Sequence, residues 1–320
     1  MKVHQVKDRI NGLRFGKRPT KPEIHIHKKR RLKYIAVLPS FITLMNGALG
    51  FIAIVFASRS PEARWSFFFL RDSPISFFVL AGYMIFLAMI ADALDGRVAR
   101  LTRTTSSFGG QLDSLSDIVS FGIAPAFLMI RLVEFHLASL SLQQLKYFGL
   151  IERGMFFSAI LYAMCAMVRL ARFNVENEED ESAHMNFSGL PSPAAAGVVV
   201  SIVILQQRFF SSFLGKSIEM FHALQIVTVS ALPVITLLAG ILMVSRIRYP
   251  HVPNQLFRRK KTLAGLLAIF ACGLLVVWNI QLAMVIGFCG FAAAGVIRWI
   301  LVSLFRKARP THPPSAGIST

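Results

Sequence analysis

Long apolar runs separated by short charged segments are the feature that most constrains the fold of this chain. Eight runs are about as long as a helix needs to cross a bilayer, the first near 34–57 and the last near 283–304. In a bilayer the backbone must satisfy its own hydrogen bonds, so runs of this length form helices. The sequence predicts an all-α integral membrane protein with about eight transmembrane helices. The other predicted spans lie near 75–90, 111–135 and 151–168, after 191, and near 224–244 and 262–278.

Basic residues are concentrated on one side of these predicted spans. The chain carries 35 Lys and Arg against 16 Asp and Glu. With both termini on the same side, 26 of the Lys and Arg lie on that side and 8 on the other. The positive-inside rule then predicts cytoplasmic termini, in the cytoplasmic (inner) membrane. Because the positive charge lies between apolar runs, anionic membrane lipids are the expected partner and nucleic acid is not.

Four aspartates lie where the second predicted span ends and the third begins. Asp92 and Asp95 are three residues apart and Asp113 and Asp117 are four apart, so each pair shares one face of a helix. Two helices joined through 101–108 can therefore direct all four carboxylates into one space at the cytoplasmic face.

Bound cations would stabilise such a cluster. Four neighbouring carboxylates repel one another and are costly to desolvate near a membrane. Two divalent ions would balance their charge, and oxygen ligands suit Mg²⁺, Mn²⁺ or Ca²⁺ better than zinc.

The spacing of these aspartates, Asp-x2-Asp-Gly-x2-Ala-Arg-x8-Gly-x3-Asp-x3-Asp, resembles the signature of the CDP-alcohol phosphatidyltransferases. All the fixed residues of that signature are present as Asp92, Asp95, Gly96, Ala99, Arg100, Gly109, Asp113 and Asp117. The resemblance implies transfer of a phosphatidyl group from a CDP-linked lipid to an alcohol, with release of CMP. It also implies a homodimer built on a six-helix core.

The same resemblance implies roles for the matching residues. The four aspartates would be ligands of two Mg²⁺ or Mn²⁺ ions, and Asp117 would also be the base that takes the proton from the attacking hydroxyl. Residues of small volume or positive charge would contact the CDP-lipid, with Gly109 giving close backbone approach at the turn. These are Gly96, Ala99, Arg100 and Gly109.

A second resemblance concerns the acceptor. The segments Arg169-Leu-Ala-Arg172-Phe-Asn174 and 187–196 are similar to those of the family's bacterial membrane-integral phosphatidylserine synthases. The resemblance implies CDP-diacylglycerol as donor and L-serine as acceptor. A serine site needs a cation for the carboxylate, and Arg172, with Arg169 as the alternative, is the candidate. Ordinary cytoplasmic flanking charge explains both arginines equally well.

Several alternatives remain open from the sequence. Glycerol 3-phosphate or an inositol derivative could replace serine in the same type of reaction. A membrane prenyltransferase would need a second aspartate-rich segment, yet residues 182–320 contain a single acid, Glu219. A cation transporter would place its carboxylates near the bilayer midplane rather than at one boundary.

The predicted organisation has four parts: a basic cytoplasmic tail over 1–33, a six-helix catalytic core over 34–250, two additional transmembrane helices over 251–305 and a short tail over 306–320. The first span contains a seam of polar and small residues, a pattern that permits close helix contact. Members of the family often carry similar residues close to the nucleotide. The seam consists of Pro39, Thr43, Asn46, Gly47 and Gly50.

Overall fold

The computed structural model describes residues 24–60, 75–102, 107–139, 148–179, 189–212, 218–247, 249 and 278–307. Within these ranges all regular structure is helical, which confirms the predicted all-α fold. A π-helical segment, Ile118–Ile123, joins α3 to α4 without a break. The helices are α1 (Ile24–Ala57), α2 (Phe77–Thr102), α3 (Ser107–Asp117), α4 (Ala124–Ser139), α5 (Phe148–Glu179), α6 (Ser192–Ser212), α7 (Ile218–Val244) and α8 (Ile280–Lys307).

Six helical segments in the described ranges are long and apolar enough to cross a membrane: Ser40–Ala57, Phe77–Val98, Phe108–Ala138, Gly149–Val175, Ile226–Val244 and Ile280–Leu304. They coincide with the predicted first to fourth, sixth and eighth spans, so the chain is an integral membrane protein. Helix α6 lies where the fifth span was predicted, and its 21 residues measure about 31 Å. The total of eight is not confirmed, because α6 is not among the six segments and residues 262–277 of the predicted seventh span lie outside the described residues.

Helix α1 begins ten residues earlier than the first predicted span. It starts at Ile24, so the basic run 28–33 at the end of the predicted tail has a helical backbone. Lys and Arg are good helix formers, and this run adjoins a long apolar helix that continues its hydrogen-bond ladder. The boundary at 33 therefore marks a change in composition, not the start of a helix.

The core is assembled through close contacts at small residues. Gly82 of α2 faces Ile204 of α6, and Gly240 of α7 lies against the backbone of Tyr162 in α5. Tyr162 is fully buried and its hydroxyl donates a hydrogen bond of 2.9 Å to the carbonyl of Phe121 in the π-helical segment. These contacts fix α5 against the segment that follows Asp117.

Helix α8 packs against the other helices mainly through α6. Gly197 of α6 faces the ring of Phe288, which also stacks on Phe86 of α2 with ring centroids 5.6 Å apart. Tyr249 donates a hydrogen bond of 3.3 Å to the carbonyl of Ala292. The last predicted span is therefore attached to the core on the side of α6.

Candidate active site

Three of the four predicted aspartates meet where α2 ends and α3 begins. Asp92 and Asp95 lie near the end of α2 and Asp113 lies in α3, and each offers a carboxylate oxygen within 4.8 Å of the others. Asp117, one helical turn beyond Asp113, is not in this group of three. It is still close enough to interact with the charges of Asp92 and Asp113. The helical spacing thus brings the carboxylates of two helices to one place.

Burial makes this cluster suited to cations. Asp95 and Asp117 are only 5% and 7% exposed. Two buried oxygens, Oδ2 of Asp95 and Oδ1 of Asp113, have no hydrogen-bond partner. Buried carboxylates without partners are strongly unfavourable unless a positive charge accompanies them. The unpaired oxygens and the all-oxygen donor set fit a hard divalent cation.

Helix α1 contacts both aspartate-bearing helices with polar side chains. Nδ2 of Asn46 donates a hydrogen bond of 2.9 Å to Oδ1 of Asp117. The hydroxyl of Thr43 donates to the carboxylate of Asp95. Both residues belong to the seam that the family resemblance places close to the nucleotide, but the sequence linked neither of them to an aspartate.

Small residues bring α1 close enough for these bonds. A Cβ atom at Gly47 would lie 3.1 Å from Oγ of Ser116, and one at Gly50 would collide with Ser120. Oγ of Ser120 in turn donates a hydrogen bond of 2.9 Å to the carbonyl of Asn46. The seam is therefore the contact surface between α1 and the helix that carries Asp117.

The residues expected at the CDP-lipid differ in their surroundings. Gly96 is exposed, and a Cβ atom there would meet nothing within 4 Å. Gly109 lies in the first turn of α3 rather than in the linking turn where it was expected, because α3 already begins at Ser107. Ala99 and Arg100 belong to the last turns of α2, and their side chains lie outside what the structure describes.

The two candidate arginines lie near the end of α5 but in different environments. Nε of Arg169 donates a hydrogen bond of 2.8 Å to the carbonyl of Leu190, and its guanidinium interacts with the charge of Asp117. Arg172 is exposed. Arg169 is thus half-buried and interacts with Asp117, whereas Arg172 is exposed, a distinction that flanking charge in a sequence cannot reveal.

The segment before α6 is fixed against α5 and α7. Gly189 has a φ of 92°, and a Cβ atom there would collide with the carbonyl of Met243, so this position favours glycine. The amides of Gly189 and Leu190 donate to the carbonyls of Ile247 and Leu242, at 2.8 and 2.9 Å. Together with the Arg169 bond, these contacts hold the segment against α5 and α7.

Helices α3 and α5 are also tied directly. Oγ of Ser114 donates a hydrogen bond of 3.0 Å to Oδ1 of Asn174. Ser114 follows Asp113, and Asn174 belongs to the segment that carries both arginines. The site therefore joins residues from α1, α2, α3 and α5 at one end of the helical bundle.

Comparison with known proteins shows which family has this arrangement of residues. The family model for CDP-alcohol phosphatidyltransferase matches residues 36–230. The chain belongs to the CDP-alcohol phosphatidyltransferase family. The match contains every residue of the aspartate cluster and both arginines, and α8 lies beyond it.

Several curated relatives of this phosphatidyltransferase are named CDP-diacylglycerol–serine O-phosphatidyltransferase. A relative from Methanocaldococcus jannaschii is 32% identical over 226 residues, 71% of this chain and 80% of the relative. One from Helicobacter pylori is 33% identical over 267 residues, 83% of this chain and 92% of the relative. A yeast relative from Saccharomyces cerevisiae is 33% identical over 191 residues. Membership of this family excludes the prenyltransferase and transporter alternatives.

Proposed function

We propose that this phosphatidyltransferase moves the phosphatidyl group of CDP-diacylglycerol to the hydroxyl of L-serine, giving phosphatidylserine and CMP. The observation that carries the proposal is the aspartate cluster, with ligand oxygens of three residues within 4.8 Å, inside the part of the chain that matches the family. The choice of serine rests on the names of the relatives from Methanocaldococcus jannaschii and Helicobacter pylori.

In this proposal the carboxylates of α2 and α3 hold two divalent ions, Mg²⁺ or Mn²⁺. Asp92, Asp95 and Asp113 are the main ligands, and Asp117 contributes to the second ion. When bound, the ions offset the negative charge of the diphosphate and of the departing phosphate. Asp117 takes the proton of the acceptor hydroxyl, whose oxygen forms a bond to the phosphorus of the phosphatidyl group. The bond from that phosphorus to the CMP oxygen breaks, and CMP leaves.

The CDP-lipid would lie along the exposed side of the end of α2. The open space at Gly96 supports this placement, because a nucleotide could approach the helix there without meeting a side chain. Ala99 is also small and would leave room for the nucleotide, and Arg100 would contact phosphate. Gly109, in the first turn of α3, would bring the helix backbone close to the ligand.

The carboxylate of serine would be held by Arg172, with Arg169 as the alternative. Both arginines lie in the last third of α5, the helix that Asn174 ties to α3, and a carboxylate repelled by the aspartates needs a nearby cation. The side chain of Arg172 is exposed whereas that of Arg169 is half-buried, so a soluble acceptor can reach Arg172 more easily, which supports Arg172 as the first candidate. Arg169 would then mainly hold the segment before α6 in place.

The excess of basic residues on one side supports insertion into the inner membrane with both termini and the site at the cytoplasmic face. CDP-linked lipid and serine would then reach the site from the cytoplasmic side. Homodimer formation, implied by the family, belongs to the same proposal.

A panel of alcohols tests the choice of acceptor. The purified protein, supplied with CDP-diacylglycerol and Mg²⁺, is expected to release CMP with L-serine and to give radiolabelled phosphatidylserine. Glycerol 3-phosphate and inositol derivatives, tested at the same concentration, are expected to give only background release. Activity with glycerol 3-phosphate and none with serine would keep the reaction type and overturn the acceptor.

Removal of the proposed carboxylate partner should weaken the dependence on serine. Arg172→Ala is expected to raise the KM for serine about 10–100-fold, since a charged hydrogen bond contributes about 1.5–3 kcal/mol. Arg172→Lys should rescue only part of this loss, because an ammonium group cannot make the two-point contact of a guanidinium. CMP release is measured against serine concentration with the donor saturating.

Arg169→Ala is the matched variant for that experiment. Because Arg169 binds the Leu190 carbonyl, its loss should also lower the thermal unfolding temperature, so the serine KM and the unfolding temperature are measured for both variants. If both alanine variants keep the serine KM of the parent, the carboxylate site lies elsewhere.

A further inference from the structure

Two polar side chains of α1, one helical turn apart, each hold one aspartate of the site. Thr43 donates to Asp95 at the end of α2, and Asn46 donates to Asp117 at the end of α3. Thr43 is 4% exposed and Asn46 is completely buried. The two carboxylates belong to different helices, so α1 is a common support for both.

Packing alone does not account for an asparagine at this position. Nδ2 of Asn46 binds Asp117 at 2.9 Å, but Oδ1 of Asn46 is buried without a hydrogen-bond partner. An unpaired buried carbonyl is unfavourable, and an apolar side chain of similar volume would avoid that loss. What the amide provides, and leucine could not, is the bond to Asp117.

The backbone of Asn46 also contacts the helical stretch that follows Asp117. The carbonyl of Asn46 accepts a hydrogen bond of 2.9 Å from Ser120, three residues after Asp117. Gly50 lies against the same serine, which fixes the separation of the two helices. The side chain and the backbone of Asn46 thus contact the same stretch of helix, and of these two hydrogen bonds it is the side-chain bond that reaches the carboxylate of Asp117.

We propose that Asn46 and Thr43 are positioning residues for the phosphatidyl transfer. Asn46 occupies Oδ1 of Asp117, which leaves Oδ2 to take the proton of the acceptor hydroxyl. Thr43 orients the Asp95 carboxylate for its metal ion, as residues that hydrogen-bond to metal ligands commonly do. This inference rests on the proposed function, in which Asp117 is the base and Asp95 a ligand.

The test of Asn46 is a near-isosteric change to an apolar residue. Asn46→Leu is expected to lower kcat about 10–100-fold, the usual loss when the hydrogen-bond partner of a metal-site side chain is removed. The KM for CDP-diacylglycerol should stay at the parent value, because the donor does not depend on that bond. If Asn46→Leu does not fold, Asn46→Ala is measured instead. Alanine also lacks the amide, and it is too small to clash with neighbouring side chains.

Ser120→Ala is the matched control. It removes the other hydrogen bond of the same helix contact and leaves the bond from Asn46 to Asp117 in place. A role in packing alone predicts equal losses of kcat in Ser120→Ala and Asn46→Leu, and that result would overturn the proposal. Parent-like kcat in Asn46→Leu would overturn it as well.

Thr43→Val tests the second contact by a measurement that does not depend on turnover. Valine keeps the shape of threonine and removes its hydroxyl, so the affinity of the full-length protein for Mn²⁺ should fall about 10-fold. Electron paramagnetic resonance of free Mn²⁺ during a titration gives that affinity. Unchanged Mn²⁺ affinity would overturn the role of Thr43.

Failure of the positioning role is distinguishable from failure of the proposed function. If Asp117→Asn retains the parent kcat, the base assignment itself is wrong. If Asp117→Asn is inactive while Asn46→Leu behaves as the parent, only the positioning role is wrong.

Discussion

Chelation of divalent cations is expected to reduce phosphatidyl transfer to background. Asp92, Asp95 and Asp113 offer oxygens within 4.8 Å of one another, and two oxygens of the cluster are buried without partners. Without cations, this cluster would repel the diphosphate of the donor, so both binding and transfer should be lost. CMP release is measured before and after addition of excess chelator, and again after Mg²⁺ or Mn²⁺ is returned.

Two controls make this result specific. Restored activity with Mg²⁺ or Mn²⁺ shows that the chelator did not inactivate the protein. Zn²⁺ should restore less, because an all-oxygen site suits harder cations. Full turnover in excess chelator would contradict the proposed two-metal site.

Much of the site could be predicted from the sequence because its aspartates repeat at helical spacing. Offsets of three and four residues place Asp92 beside Asp95, and Asp113 beside Asp117, whatever the surrounding fold. The prediction that two helices bring their carboxylates together then needed only a short connection between α2 and α3. The membrane spans were predictable for a similar reason, since bilayer thickness sets their length.

The contacts of α1 could not be predicted in the same way. Asn46 and Asp117 are 71 residues apart, and the register between their helices depends on tertiary packing at Gly47 and Gly50. The sequence indicated only that small and polar residues share one seam. A polar residue aligned with glycines on an otherwise apolar helix is the signal that could have suggested a contact with the site.

The different environments of the two arginines could not be predicted from the sequence either. A positive charge at the cytoplasmic end of a span is expected from topology alone, so Arg169 and Arg172 were equivalent in the sequence. The structure separates them, because Arg169 binds the carbonyl of Leu190, 21 residues away, while Arg172 is exposed. The local irregularity at Ile118–Ile123 had no signal in the sequence either, because a π-helical segment depends on its packing partners.

Asp117→Asn is expected to reduce kcat about 10²–10⁴-fold, the usual contribution of a positioned base. Asparagine keeps an oxygen and nearly the same volume but cannot accept the proton of the acceptor hydroxyl. Because Asp117 lies outside the group of three oxygens within 4.8 Å, affinity for the CDP-lipid should fall much less than kcat. Asp117→Asn would therefore lower kcat much more than it lowers the affinity for the CDP-lipid.

Asp92→Asn is the matched comparison, since it makes the same chemical change at a proposed metal ligand. Asp92 belongs to the group of three, so this variant should lose donor affinity as well as turnover. Donor affinity is measured by equilibrium binding of a CDP-lipid in Mg²⁺, and kcat by CMP release with serine saturating. The division of roles requires the two variants to differ in donor affinity. If both lose it equally, Asp117 acts only as a metal ligand like the others, and the base must be sought in another group near the acceptor.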